Sequence, residues 1–309
     1  MRRIRPEPAP RAARGVTLIE LVVAMVLVAI IAGATIYFIY PVRQAVDITT
    51  RAGLTDIADN ALQRIAREVR LALPNSVRTD PTFRFLEFIP VRAAGRYRAD
   101  GGGAAGGTNC PDTGVGVPAS DQLSFDVVDT CFKTIGSLSN AAAITTNDSV
   151  VLNNYGSGFA GQDVYEAAGA NRRRISAVAA EATRHRIGIT SATAFDRTLH
   201  DSPGRRFYIV NGTAAGLPEP VTFDCSAGTL LRRSGYQMTA AQPAAPASFV
   251  GGASQLIANN VASCVFEYVP STGPQIGLLT LRLTLSQVRS DGGNETVSLY
   301  HSIHVSNVP

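Results

Sequence analysis

Few side chains in this 309-residue sequence are of a type and spacing that could do chemistry. The four histidines, His185, His200, His301 and His304, are scattered. The last two stand three apart in an alternating stretch, which points them to opposite faces of a strand and keeps them from chelating one metal. The four cysteines, Cys110, Cys131, Cys225 and Cys264, form no CxxC pair, so neither a zinc ribbon nor a dithiol redox site is written in them. Their even number fits two disulfides in an exported domain. Three connectivities are open, and the sequence-local one, Cys110 with Cys131 and Cys225 with Cys264, is the expectation, set against four buried thiols. No GxSxG, HExxH or Walker sequence occurs. The glycine-rich run 101–107 has no strand leading into it and no GK[ST] after it, and reads as a flexible connection. Asp291-Gly292-Gly293-Asn294 is a hairpin turn that would need further converging oxygens to hold calcium. No catalytic residue, metal or cofactor is therefore assigned, and the chain reads as one that assembles, not one that catalyses.

One ionisable group stands apart. Between Gly15 and Arg43 the only carboxylate is Glu20, inside an apolar run that continues to Tyr40. A carboxylate in a bilayer costs about 2.5–3.5 kcal/mol on an insertion scale, so such an acid is normally paired and functional. A cut after Gly15 would supply the partner, because Val16 then carries a new ammonium close to Glu20 of the same chain or of a neighbouring copy.

The elements that would position Glu20 follow from the flanks. The leader 1–15 carries five arginines against Glu7 and no apolar core, so it is not an ordinary signal peptide. Its removal would take the formal +4 of the chain to zero, and the remaining arginines alternate with acids, which argues against general nucleic-acid binding. Arginine-rich flanks stay cytoplasmic, placing the bulk of the chain and its cysteines across the membrane. Residues 16–40 span about 37 Å as a helix, enough to cross a bilayer with some tilt. Pro41 reads as a kink, not a helix end, because helical periodicity resumes at once: Leu54, Ala58, Ala61, Leu62, Ile65, Ala66 and Val69 recur at three- and four-residue steps. The helix stops before Pro74.

Beyond it the period becomes that of strands, expected at 83–91, 122–129, 148–153, 185–190, 205–211, 220–225, 228–233, 261–269, 276–288 and 295–306. Residues 239–253 form a surface excursion, and Arg172-Arg173-Arg174 reads as a solvated loop or helix end. The chain thus divides into a cleaved leader, 1–15; a transmembrane and filament-core helix, 16–40; its amphipathic continuation, 41–73; and a β-rich exported domain, 74–309. The fold class is α+β: a long N-terminal helix packed on antiparallel sheet, with one large sheet or two merged ones.

Arg14-Gly15-Val16-Thr17-Leu18-Ile19-Glu20 and the apolar run after it closely resemble the cleavage and methylation motif of type IV pilins and type II secretion pseudopilins. The resemblance implies a prepilin peptidase cutting after Gly15 and methylating Val16, with Thr17, Leu18, Ile19 and Glu20 serving assembly. It implies other major and minor pilins, an inner-membrane assembly platform and membrane lipid as partners. The protein would be a single-pass inner-membrane protein before assembly and part of a surface filament after it. Val16 stands where this family commonly has Phe, and Pro41 lies a few residues later than the family's usual helix-breaking proline. The segments 55–64, 72–78, 86–90, 95–99, 299–301 and 305–309 are similar to the O-type minor pilins of mannose-sensitive haemagglutinin pilus biogenesis. Such a subunit would prime or cap the filament near its tip. A J-type secretion pseudopilin is the alternative, with a pilus-borne adhesin or DNA-capture module behind it.

Overall fold

The computed structural model describes residues 15–98, 122–125, 128–270, 276–289 and 292–309, with the backbone alone for 39–47. Helix α1 (Leu18–Val69) is continuous across Pro41. Its first half, Leu18–Phe38, is long and apolar enough to cross a membrane, and none of it is buried against the rest of the chain. Its second half buries one stripe, Leu54, Ala58, Ala61, Leu62, Ile65, Ala66 and Val69, each no more than 3% exposed. Small alanines on that stripe let the helix approach sheet closely, and each buried aliphatic contributes about 1.5–3 kcal/mol by leaving water.

The helix ends at Val69, four residues short of the expected boundary. The chain turns at Arg70 and Leu71, and residues 71–73 bond instead to 89–91: Leu73 N–H to Ile89 O at 2.7 Å and Val91 N–H to Leu71 O at 2.9 Å. Three antiparallel sheets follow. The first contains β1 (Arg78–Thr79), β2 (Phe85–Phe88), β9 (Val221–Asp224), β10 (Leu230–Ser234) and β11 (Ala253–Ala258), in that order. The second is the meander β12 (Val261–Val269), β13 (Ile276–Val288) and β14 (Asn294–Ser306). The third has the order β3 (Val91–Arg96), β8 (Arg206–Val210), β5 (Ser149–Leu152), β6 (Arg172–Glu181), β7 (Arg184–Thr190) and β4 (Cys131–Lys133). A single-turn helix, α2 (Arg197–His200), precedes β8.

Because β2 pairs directly with β9, Phe88 opposite Val221, the whole six-stranded sheet is an insertion between two neighbouring strands. The first two sheets share one core with α1, in which Leu86, Phe88, Phe223, Phe266, Leu281 and Leu283 meet the helix stripe. The insertion has a core of its own around Phe132, Phe207, Ile187 and Ile209. β13 and β14 pair without a shift over 13 residues, and their odd-numbered side chains, among them Leu279, Leu281, Leu283, Leu285, Val297, Ile303 and Val305, turn inward. Gly277 belongs to that inner row, where a Cβ would stand 2.5 Å from the Tyr268 hydroxyl; only glycine lets the tyrosine pass.

Several expectations are corrected. The segment 83–91 is two strands broken at Ile89 and Pro90, since proline cannot donate to a ladder. The described residues of 122–129 are not strand. The buried Asp129 carboxylate accepts the Ser124 and Cys131 N–H groups at 2.7 and 3.0 Å, so a side chain and not a neighbouring strand satisfies these donors before β4 runs from Cys131. Arg172–Arg174 is neither loop nor helix end but the start of β6. Arg172 and Arg173 are buried, and Arg173 donates to the Ala170, Arg172, Thr193 and Ala194 carbonyls while its guanidinium lies 4.1 Å over the Phe195 ring. The excursion after β10 gives way to β11 at Ala253, a strand absent from the expectation.

Candidate functional site

The site begins at residue 15, the first described. Nothing in the fold asks for glycine there: a Cβ would meet no atom within 4 Å, and the backbone is not left-handed. Val16 is exposed, and Thr17 has the extended conformation of an N-cap, φ −78° and ψ 151°. The Thr17 hydroxyl accepts the Glu20 N–H at 3.3 Å, and its carbonyl accepts the Leu21 N–H at 3.1 Å. One of the orphan donors of the first turn is thereby satisfied inside the chain. Further along the span the Thr35 hydroxyl donates to the Ile31 carbonyl at 2.7 Å, so that polar group too is closed on the helix.

Glu20 is the exception. It is exposed, and its carboxylate has no ion-pair or hydrogen-bond partner among the described residues. Leu18 and Ile19 beside it are 82% and 71% exposed, and no other described element touches them. The apolar span is 21 residues, about 31 Å at 1.5 Å per residue, close to the ~30 Å hydrocarbon core of a bilayer. Among the described residues the arrangement is a capped helix start, an unpartnered acid one turn in, and an apolar cylinder with nothing around it.

Residues 10–36 match the family model described as the prokaryotic N-terminal methylation motif. The chain carries a prepilin-type N-terminus. That match supports a subunit of the pilin and pseudopilin class, a structural class and not an enzymatic one, which is processed by a prepilin peptidase, anchored through a single apolar helix and assembled with other pilins. No curated protein and no solved structure matches the chain significantly.

The remaining singled-out residues serve the fold. Cys225 and Cys264 are joined by a disulfide that ties the end of β9 to β12 at the edge of the helix core. Cys131 is also disulfide-bonded; Cys110 lies outside the described residues, as do the run 101–107 and Asp291. His185 Nδ1 accepts the Leu138 N–H at 3.1 Å. His200 is clamped by the Asp196 N–H at its Nδ1 and the Gly161 carbonyl at its Nε2, and burial holds it below the usual imidazole range. His301 and His304 sit on opposite faces of β14, and no group of three metal-ligating side chains occurs among the described residues.

Sequence reasoning missed a buried ion pair. Glu87 in β2 is fully buried on the face of the first sheet turned away from the helix. It binds Arg78 at 2.6 Å and accepts from the Tyr236 and Thr222 hydroxyls at 3.0 and 3.3 Å. Burial pushes its carboxyl up, opposed by the Arg78 charge. Arg78 also donates to the Thr239 and Ala240 carbonyls and lies 3.5 Å over the Tyr165 ring of the insertion. A second junction is made of amides. Asn75 donates to the Asn154 and Asn307 carbonyls, and Asn154 donates to the Pro74 carbonyl. Together these fix the insertion to the end of α1. Only the polarity of single residues signalled them; their partners lie up to 232 positions away.

Proposed function

We propose that the chain is a minor pilin of a type IV pilus, similar to the O-type subunits of the mannose-sensitive haemagglutinin system, cleaved after Gly15 and built into the filament by its N-terminal helix. The observation that carries the reading is Glu20: an acid without a partner among the described residues, on an apolar helix that none of them covers, one turn from the point where cleavage would create an ammonium at Val16. Before assembly the span rests in lipid as a monomer, with the β-rich domain 74–309 in the periplasm. On extraction, apolar helix faces replace lipid with one another, and Glu20 of one subunit neutralises the Val16 ammonium of the next. Opposite charges at contact distance in a medium of low polarity attract strongly enough to select the register of neighbouring helices. The insertion makes the subunit bulky for a uniform shaft, which favours a place near the tip, and a retained Glu20 calls for at least one subunit to pair with.

The test is assembly. Glu20→Ala should leave cleavage intact while the protein disappears from the sheared filament fraction; undiminished incorporation would sink the charge-pairing mechanism. Gly15→Trp should block cleavage, read as retention of the leader on a gel, whereas Gly15→Ala should still be cut. Recovery only from the periplasm, never from surface filaments, would point to the pseudopilin assembly instead.

A further inference from the structure

Among the described residues the three sheets end in six edge strands, and five of them are guarded. β1 and β4 are only two and three residues long. β3 carries Arg92 and Arg96. β12 is met by the Phe83 and Gly228 carbonyls, which accept the Phe266 and Val261 N–H groups at 2.8 and 3.0 Å. β14 carries Glu295, against which Arg51 of α1 sits at 3.3 Å. Short length, charge and cover are the usual means by which an edge is kept from pairing with a further strand. β11 has none of them. Its sequence, Ala-Ser-Gln-Leu-Ile-Ala, holds no charge and no proline over about 20 Å, and Ala253 to Leu256 are exposed. The shift in its pairing with β10 falls between Leu230 and Leu231, which leaves Ala253 to Leu256 in regular register. Every second residue of an edge strand turns its N–H and C=O away from the sheet, and among the described residues those of β11 bond to nothing.

The helix flank beside that edge decides what fits there. Ile57, Arg64 and Glu68 fall within about 40° of one another around α1, and Leu71 follows in the turn after it. Arg64 donates to Gln255 Oε1 of β11 at 2.6 Å, and Arg232 of β10 to Glu68 at 2.7 Å, so this flank overhangs the last two strands of the sheet. Ile57 and Leu71 leave apolar surface exposed on it. The one acid, Glu68, is divided between Arg64 and Arg232, which leaves a positive charge in excess, and exposed Arg67, without an ion pair among the described residues, adds a second. We infer that the open edge of β11 is a docking site for an extended segment of another protein, which adds a strand beside Ala253–Ala258 and turns carboxylates toward Arg64 and Arg67. Main-chain hydrogen bonds hold the added strand, and the arginines set which side chains it carries. A second copy of β11 does not serve, because it has no acid to answer them. The inference goes beyond the subunit reading and does not depend on it, since it needs neither cleavage at Gly15 nor a filament.

Hydrogen exchange of the full chain in detergent tests the site, with the peptide acetyl-Thr-Val-Glu-Val-Glu-Val-Thr-amide as the probe. In the free protein about half of the amides of 253–258 should exchange as readily as those of an open loop, and saturating peptide should slow them by about tenfold or more. The same peptide with lysine in place of glutamate should bind about tenfold more weakly or worse. One with two consecutive prolines at its centre lacks the N–H of two neighbouring residues and should leave exchange unchanged. Arg64→Glu/Arg67→Glu should reverse the preference, so that the lysine peptide protects 253–258 and the glutamate peptide does not, which a folding defect cannot mimic. Protection of 253–258 in the free protein, whether by residues of its own chain or by a second copy, overturns the docking site. So does unchanged exchange at millimolar glutamate peptide, an equal response to the proline peptide, or a charge preference indifferent to the reversal.

Discussion

The two halves of α1 have similar backbones and opposite dependencies. From Leu54 to Val69 the chain supplies its own covering sheet, and the half-buried acid of that stretch, Glu68, sits between Arg64 and Arg232 at 3.3 and 2.7 Å. From Leu18 to Phe38 the described residues supply no cover, and the acid, Glu20, has no partner among them. The β-rich part of the chain repeats the lesson at Glu87, fully buried yet matched by Arg78 within the same chain. At Glu68 and Glu87 the neutralising partner is built into the chain. The first half of α1 leaves an apolar surface and Glu20 open among the described residues, and lipid would cover the surface without answering Glu20.

The contrast can be broken by experiment. Arg78→Ala leaves Glu87 buried and unpaired and should cost about 3–5 kcal/mol, read by denaturant unfolding of the processed protein in detergent; a loss below about 1 kcal/mol would mean that the pair is not the internal counterpart supposed here. Ile65→Ala, at a position with no exposure, should cost about 3 kcal/mol, while Ile30→Ala, 61% exposed in the first half, should leave domain unfolding unchanged. Equal effects would show that the first half is packed on its own domain after all.

The smallest effect is one of pH. Burial raises the Asp129 carboxyl to about 6, against backbone N–H bonds that lower it. Between about pH 4 and 6 the unfolded chain has released this proton and the folded chain has not, so stability falls as pH rises through that window, by on the order of 2 kcal/mol. Asp129→Asn should remove that slope. Unfolding of both proteins at pH 4, 5, 6 and 7 isolates it as their difference, and a constant difference would show that Asp129 titrates normally.

The helix and the last three strands were legible because their periods are long and unambiguous: a seven-residue stripe of small and aliphatic side chains, and the unbroken alternation from Leu279 to Leu285 opposite Val297 to Val305. The prepilin-type motif was legible for a different reason, being local in sequence. β6 was not, because three arginines open it and alanines continue it; whether those guanidinium groups meet solvent or carbonyls is decided by loops at 164–170 and 191–194 that no local pattern reveals. β11 was hidden by its exposure on both faces, which erases alternation. The Glu87 network joins residues 9 to 149 positions apart, and pairing at that range is a property of topology.

That topology also sets the order of events in folding. β2 and β9 are separated by 133 residues at the pair Phe88 and Val221, and closing so long a loop before anything inside it is ordered is slow and entropically costly. The insertion shortens the path, because its first and last strands pair with one another, Val91 opposite Val210. Once it has folded, the ends of β2 and β9 emerge side by side, and what remains is a closure of about a dozen residues. The six-stranded sheet thus acts as a splint. By this loop-closure argument the insertion folds before the sheet that receives the helix, and delay in the insertion would delay the covering of the second half of α1.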